Sequence, residues 1–140
     1  MGVAGVLWLA AICAAPVAVE SSHRALSIGA AGIYAAGHFV CHQIPDRCFH
    51  VDGRPMPVCA RCTGLYASAA VAAPLALLLS WNVPPRRARR LLFLAALPTI
   101  LTWSIEYAGF AHFSNGARFA AALPLGLAAA WLVIGVTDDR

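Results

Sequence analysis

Residues 41–64 read CHQIPDRCFHVDGRPMPVCARCTG and hold four of the chain's five cysteines and two of its five histidines. Three prolines and the turn pair Asp52-Gly53 interrupt regular helix, so this stretch indicates a compact folded loop. Long apolar stretches lie on both sides of it. The loop therefore divides the chain into two groups of apolar segments.

The flanking sequence is typical of a membrane protein. Of 140 residues, 61% are hydrophobic and 11% charged, whereas a soluble domain of this length needs more polar surface to cover its core. Five apolar stretches approach the roughly 20 residues that cross a bilayer as a helix. They are residues 3–19, 25–40, 64–81, 91–110 and 118–136. We predict one domain, an all-α polytopic membrane helix bundle of five transmembrane helices, with the Cys/His loop 41–63 between helices 2 and 3. The glycines of the second stretch leave four crossings as the alternative.

All ten basic residues are arginine, and four form a run between the third and fourth stretches: Arg86, Arg87, Arg89 and Arg90. Such a run anchors and orients membrane helices, so the net charge of +4 does not indicate nucleic-acid binding. If the run is cytoplasmic, Arg24 and Arg140 are too, giving six arginines inside against four outside. The protein is thus expected in the cell (inner) membrane with an extracytoplasmic Cys/His loop. In either orientation, the loop and residues 109–117 lie on the same side of the membrane, because two predicted transmembrane helices separate them.

The loop has the pattern of a metal site. In Cys59-x-x-Cys62, two intervening residues let both sulfurs face one ion, and a structural zinc site needs about four N or S ligands. If helix 2 continues to its end, His38, Cys41 and His42 lie on one face, at i, i+3 and i+4. The preferred ligand set is Cys41, His42, Cys59 and Cys62, with His38, Cys48 and His50 as alternates.

Two other uses of these cysteines stay open. A Cys-x-x-Cys pair at an external helix end suits a thiol–disulfide oxidoreductase that passes electrons to quinone, and Arg47 and Arg61 would favour its thiolate form. An external compartment also permits two structural disulfides. The histidines favour a metal, because imidazole is a common ligand. Covalent haem attachment is disfavoured, since Thr63 stands where the Cys-x-x-Cys-His motif has histidine.

A second group of polar residues is expected beside the loop. The fourth apolar stretch contains Glu106, and an acid at membrane depth has a functional or paired role. An ion pair with Arg118 that fastens two helices is one interpretation. In the other, Glu106 and Arg118 are catalytic, Glu106 accepts a proton or supports a ligating histidine, and arginines hold an anion such as a lipid phosphate. The substrate-binding candidates are Arg47, Arg61, Asn115 and Arg118.

At these residues the chain resembles a family of small prokaryotic membrane proteins of unknown function. The resemblance rests on Cys-His-Gln, on a Pro-x-Arg step before Phe, and on Pro-Val-Cys-Ala-Arg-Cys-Thr-Gly, here residues 41–43, 45–49 and 57–64. Ser114-Asn115 followed by Arg118 is a weaker match, and the similarity covers about residues 37–126. The family usually has Ser where Cys48 stands, which argues against Cys48 as a ligand. The family also tends to have an acidic residue where Thr102-Trp103 stand in this chain. Glu106 either substitutes for that acidic residue or is unrelated to it.

Three functions are compatible with these observations. The first is a membrane enzyme or transporter-like site in which zinc with an open coordination position acts on a lipid or isoprenoid phosphate. The second is a quinone-linked membrane thiol–disulfide oxidoreductase. The third is a non-enzymatic membrane module whose zinc only fixes the loop. Membrane lipid is the expected partner, and the sequence does not indicate the oligomeric state or decide whether the protein is an enzyme.

Overall fold

The computed structural model describes residues 2–79 and 84–138. Within these ranges the chain is mostly helical, with five α-helices, a short 3₁₀ turn and one small sheet. The helices are α1 Gly2–Ala18, α2 Arg24–Val40, α3 Ala60–Leu79, α4 Pro85–Tyr107 and α5 Asn115–Asp138. The 3₁₀ turn is Pro45–Arg47, and the strands are β1 Cys48–Val51 and β2 Arg54–Cys59. The predicted end of the third span, residue 81, and Arg140 lie outside the described residues.

The all-α prediction is wrong in one detail, because β1 and β2 form an antiparallel hairpin between α2 and α3. Asp52 and Gly53 both have positive φ, 50° and 77°, as the tight two-residue turn of a hairpin requires. The turn pairs Val51 with Arg54, and the ladder continues to Cys48 opposite Cys59. We call residues 41–59, which contain this hairpin, the cap.

The prediction of five transmembrane helices is not supported. In the part of the chain that the structure describes, two helices are long and apolar enough to cross a membrane, over Arg86–Tyr107 and Asn115–Ile134. Val3–Ala18 is a shorter apolar helix. Helix α2 has 17 residues, which at 1.5 Å per residue give about 25 Å, less than a hydrocarbon core of roughly 30 Å. Helix α3 contains Arg61, Cys62 and Thr63 in its first turn, so its apolar part is shorter than the helix itself.

The helices pack in the series α2, α1, α3, α5, α4, since α1 contacts α2 and α3, and α5 contacts α3 and α4. Two glycines allow α3 and α5 to approach closely. A Cβ at Gly64 would collide with the backbone of Phe119, and a Cβ at Gly126 would collide with Ser68 and with the carbonyl of Leu65. Small residues commonly permit such contacts between membrane helices. The series therefore has α2 at one end and α4 at the other.

A small core lies under the cap, where Ile12 of α1 packs with Cys41, Met56 and Val58. Ile12 and Val58 are fully buried. Much of the remaining apolar surface faces outward, and none of the most apolar window of α4 is buried inside the protein. An exposed apolar surface of this extent is unfavourable in water, and it agrees with a lipid environment.

Candidate metal centre

Three thiols meet where the cap joins α3. The Sγ atoms of Cys41, Cys59 and Cys62 all lie within 4.8 Å of one another. A tetrahedral zinc ion with Zn–S bonds of about 2.3 Å holds its sulfurs roughly 3.8 Å apart, so small side-chain movements would complete such a site. All five cysteines lie in the described residues, and all are free thiols. We call Cys41, Cys59 and Cys62 the three-thiol cluster.

Backbone geometry sets the position of each thiol. Cys41 directly follows α2, Cys59 ends β2, and Cys62 lies in the first turn of α3. The N–H of Cys59 donates to the Sγ of Cys41 at 3.1 Å, and the hydroxyl of Thr63 donates to the carbonyl of Cys59 at 3.1 Å. The positive end of the α3 dipole favours thiolate at this point.

Gln43 and Tyr34 hold the end of α2 against the hairpin. The Gln43 Nε2 donates to the carbonyls of Tyr34 and Pro57, at 2.8 and 2.7 Å, and the Tyr34 hydroxyl donates to the carbonyl of Pro55 at 2.7 Å. A Cβ at Gly37 would collide with the Pro57 carbonyl. These contacts place Cys41 beside Cys59, and the sequence analysis assigned no role to any of them. The available signal was Gln43, the third residue of Cys-His-Gln.

The cysteines hold their protons unequally. The pKa of Cys59 is lowered to about 5, because the side chain and backbone N–H of Cys62 donate to its sulfur, with help from Cys41. The pKa of Cys62 is raised, because Cys59 holds its proton and because it is buried. Burial also raises the pKa of Cys48 to about 11, with the charges of Cys41 and Cys59 adding to the effect. Metal binding would release the remaining cluster protons.

The other predicted ligands lie elsewhere. Among the described residues, the cluster that can hold a metal does not include His42. It also does not include the alternates His38, Cys48 and His50. His38, His42 and His50 are exposed, although His42 lines the cavity next to the cluster. Cys48 is buried, and its thiol donates to the carbonyl of Ile44 at 3.2 Å. The structure thus brings together three of the four preferred ligands, and their role in metal binding stays a prediction.

Glu106 lies between two arginines. Its Oε2 accepts from Arg61 Nη2 at 2.5 Å, and its Oε1 accepts from Arg118 Nη2 at 2.6 Å and Nε at 2.9 Å. The backbone N–H of Phe113 also donates to Oε1, at 3.1 Å. The expected pair of Glu106 and Arg118 therefore exists, and Arg61 is a third member that the sequence did not indicate. This geometry is that of an ion pair that fastens helices, and a catalytic role for Glu106 and Arg118 stays a prediction.

Asn115 connects this ion group to the cap. Its Oδ1 accepts from Arg118 Nη1 at 2.7 Å, and its Nδ2 donates to the carbonyls of Cys48 and Asp46 at 2.9 and 3.3 Å. Because both the oxygen and the nitrogen of its side-chain amide form hydrogen bonds, Asn115 links Arg118 to the cap. A substrate-binding role for Asn115 stays a prediction.

A cavity of about 360 Å³ opens beside the three-thiol cluster. Its walls include all three thiol residues together with Arg47, Arg61 and Arg118. Cys62 and Arg118 therefore share one site, as the sequence predicted for the loop and the start of the last helix. The Nε of Arg61 is buried and has no hydrogen-bond partner among the described residues. A buried N–H without an acceptor costs about 1–3 kcal/mol, so this nitrogen is an unfavourable feature of the site.

Residues 41–132 match the family described as predicted membrane protein (DUF2085), a range that begins at Cys41 and includes the whole three-thiol cluster. An uncharacterized protein of Methanothermobacter thermautotrophicus is 33% identical over 97 residues, which are 67% of this chain and 84% of that protein. An uncharacterized protein of Methanocaldococcus jannaschii is 46% identical over 39 residues, 28% of this chain and 25% of that protein. No solved structure gives a significant match. The chain belongs to the DUF2085 family of membrane proteins.

Proposed function

From this membership and the site geometry, we propose that Cys41, Cys59 and Cys62 hold a zinc ion at the membrane face. The fourth coordination position faces the cavity beside the cluster, and the cavity takes the phosphate group of a lipid or isoprenoid phosphate. The observation that carries the proposal is the convergence of three thiols within 4.8 Å on a cavity that three arginines also line.

The third thiol favours a metal over a redox pair. A thiol–disulfide oxidoreductase needs two sulfurs, and Cys59 and Cys62 would suffice for it. Here Cys41 also reaches the same point, and its sulfur accepts from the N–H of Cys59. Three soft thiolate ligands suit zinc, and three protein ligands leave the fourth tetrahedral position free for water or substrate.

The charges of the site support the same assignment. Three thiolates with one zinc ion have a net charge of −1. Glu106 with Arg61 and Arg118 has a net charge of +1, on side chains that are 3%, 13% and 9% exposed. Buried charge is costly unless it is paired. The zinc–thiolate centre and the ion group would therefore neutralise each other.

This balance leaves Arg47 available for a ligand. Arg47 lines the cavity, and within the described residues its side chain forms no ion pair or hydrogen bond. Its guanidinium group offers donors to an anion near the metal. Guanidinium groups and zinc are both suited to phosphate oxygens. The membrane setting makes a lipid phosphate the expected source.

The site is proposed to face the outside of the cell membrane. The cluster lies near the end of α4 that carries Glu106, and the arginine run from Arg86 to Arg90 begins the same helix. A helix of 23 residues is about 35 Å long, enough to place the two groups at opposite membrane faces. The positive-inside rule then puts the arginine run in the cytoplasm.

Elemental analysis of detergent-purified protein tests the metal. We expect about one zinc per chain, and loss of that zinc in Cys41→Ser and Cys59→Ser. Cys13→Ser is the matched control, because Cys13 is exposed in α1 and lies outside the cluster. Protein without metal, containing a reducible Cys59–Cys62 bond, would contradict the proposal and favour the quinone-linked oxidoreductase.

Binding of a polyprenyl monophosphate to zinc-loaded protein in nanodiscs tests the ligand. Arg47→Gln is expected to keep its zinc and to weaken binding roughly tenfold or more, since a hydrogen bond to a charged group contributes about 1.5–3 kcal/mol. Arg54→Gln is the control, because Arg54 pairs with Glu20 away from the cavity. If the zinc-loaded protein does not bind the phosphate at all, the zinc is structural and the protein is a non-enzymatic membrane module whose zinc only fixes the loop.

A further inference from the structure

The cavity beside the cluster lies between the two end helices of the packing series. Val40, the last residue of α2, and Trp103 of α4 both line it. Helix α2 packs on α1, and α4 packs on α5. The inner wall of the cavity comes from Arg61 and Cys62 of α3 and from the start of α5. Residues 41–44, 47 and 59 of the cap form another wall, so α2 and α4 form the part of the border that lies outside the cap and the inner wall.

Both borders present apolar side chains outward. On α2, Phe39 is 89% exposed and Val40 is 57% exposed. On α4, Trp103 and Tyr107 are 51% and 82% exposed, and their rings stack with centroids 5.2 Å apart. Helix α4 is long and apolar enough to span a membrane, and aromatic residues near the end of such a helix lie at the membrane–water interface. The border is thus placed at the level of lipid headgroups.

The cavity is polar and its border is apolar, which matches the polar headgroup and the apolar chain of a lipid phosphate. Thiols and guanidinium groups lie inside, whereas aromatic and aliphatic side chains lie at the border. A volume of about 360 Å³ is at the low end of ligand sites, which range over about 300–1,000 Å³. It has room for a headgroup, and a long hydrocarbon chain would have to extend outside. The exposed apolar residues are where such a chain would lie.

We propose that the ligand reaches the cavity from within the bilayer, through a lateral opening between α2 and α4, and not from the aqueous side of the cap. Its anionic headgroup lies beside the three-thiol cluster, and its hydrocarbon chain lies against Val40 and Trp103. This inference rests on the proposed phosphate-binding function, because it names the route and the source of that phosphate. A membrane-embedded phosphate therefore needs the lateral opening for its hydrocarbon chain, whereas a small soluble phosphate does not.

The experiment compares two probes on zinc-loaded protein in phosphatidylcholine nanodiscs: a polyprenyl monophosphate in the bilayer and phenyl phosphate in the water. Val40→Trp narrows the opening, and we expect it to slow association of the lipid probe at least fivefold more than association of phenyl phosphate. Ile28→Trp is the matched control, because Ile28 is also exposed on α2 and does not line the cavity. It should leave both probes unaffected.

A second variant removes apolar surface instead of adding it. Trp103→Ser should weaken binding of the lipid probe more than binding of phenyl phosphate, whereas Leu101→Ser, at another exposed position on α4, should change neither. Unchanged lipid binding in both Val40→Trp and Trp103→Ser would overturn the lateral route, and so would an equal loss of both probes. Zinc content is measured on every variant. If wild-type protein with full zinc binds neither probe, the proposed function itself fails and the route falls with it.

Discussion

Cys48 and Cys59 lie opposite each other in the hairpin, yet their thiols differ widely in acidity. The pKa of Cys59 is lowered to about 5 by donors from Cys62, whereas burial raises the pKa of Cys48 to about 11. A thiol that receives hydrogen bonds is stabilised as thiolate, and one in an apolar site is stabilised as the neutral form. At neutral pH the metal-free protein therefore has one thiolate inside the cluster and a protonated cysteine across the hairpin.

The first prediction concerns alkylation of the metal-free protein. Because the pKa of Cys59 is lowered, its thiolate persists as the pH falls from 8 to 6, and its reaction with iodoacetamide should slow by less than twofold over that range. Cys48 should stay unmodified throughout. Mass spectrometry of the peptides after timed labelling measures both rates. An ordinary thiol would react about tenfold more slowly per pH unit below its pKa, and such a slope at Cys59 would contradict the prediction.

The second prediction concerns Glu106. Glu106→Gln removes the charge that Arg61 and Arg118 share, and breaking a buried ion group in this way costs about 3–5 kcal/mol. Unfolding in detergent, followed by circular dichroism, should show a clear loss of stability. Glu20→Gln breaks a pair in which the Glu20 side chain is 66% exposed, and should cost less than about 1 kcal/mol. Equal effects of the two substitutions would show that the Glu106 group is not structural.

At the residue scale, the sequence predicted part of the site. The Cys59-x-x-Cys62 spacing was sufficient to predict that these two sulfurs meet, because Cys59 directly precedes the helix whose first turn contains Cys62. The approach of Cys41 depends on tertiary hydrogen bonds from Gln43, which spacing alone does not reveal. His42 follows Cys41 directly and projects differently, so it lines the cavity without joining the cluster. Arg61 as a partner of Glu106 likewise depends on tertiary packing, because α3 and α4 both pack on α5.

Among the secondary-structure elements, apolar patterning predicted the described helix ends to within about six residues, with the largest difference at the start of α4. The second predicted stretch, 25–40, corresponds to Arg24–Val40, and the last, 118–136, corresponds to Asn115–Asp138. The hairpin was missed because its strands have four and six residues and β2 contains two prolines, which usually argue against a strand. Asp52-Gly53 indicated the turn, but the sequence did not reveal that the residues on either side of this turn pair as antiparallel strands.

The third prediction concerns the contact between α3 and α5. A Cβ at Gly64 meets the backbone of Phe119, which cannot move aside as a flexible side chain can. Gly64→Ala should therefore destabilise the protein by about 1–3 kcal/mol, the usual cost of overpacking. Gly29→Ala, in α2 with open space around its Cβ, should be neutral or slightly stabilising. Thermal unfolding of the two variants in the same detergent compares them, and similar melting temperatures would contradict the packing argument.

At the scale of the whole molecule, three regions of the chain meet at one site: the end of α2, the hairpin with the start of α3, and the facing ends of α4 and α5. The three-thiol cluster links the first two, and the ion group around Glu106 links α3 to α4 and α5. Asn115 closes the arrangement by binding the cap. Most of the polar contacts between distant parts of the chain are therefore concentrated at one end of the helix bundle.

The fourth prediction follows from that concentration. If the proposed zinc ion is bound, removing it with a chelator should lower the melting temperature of the wild-type protein, since a ligand at a thousandfold excess over its dissociation constant stabilises by about 4 kcal/mol. Cys59→Ser should melt at the lower temperature with or without chelator, and Cys13→Ser should behave as wild type. Differential scanning fluorimetry in detergent gives all three values. An identical chelator response in Cys59→Ser would place the metal elsewhere.

The bond from Asn115 to the cap also bears on the order in which the protein is made. Cys41, Cys59 and Cys62 leave the ribosome well before residue 115, so the sulfurs can meet while the last helix is still being synthesised. The carbonyls of Asp46 and Cys48 receive their donor only after that helix has inserted. The order of synthesis therefore allows the thiols to assemble before the last helix encloses them, and a metal bound at that stage would protect them from oxidation.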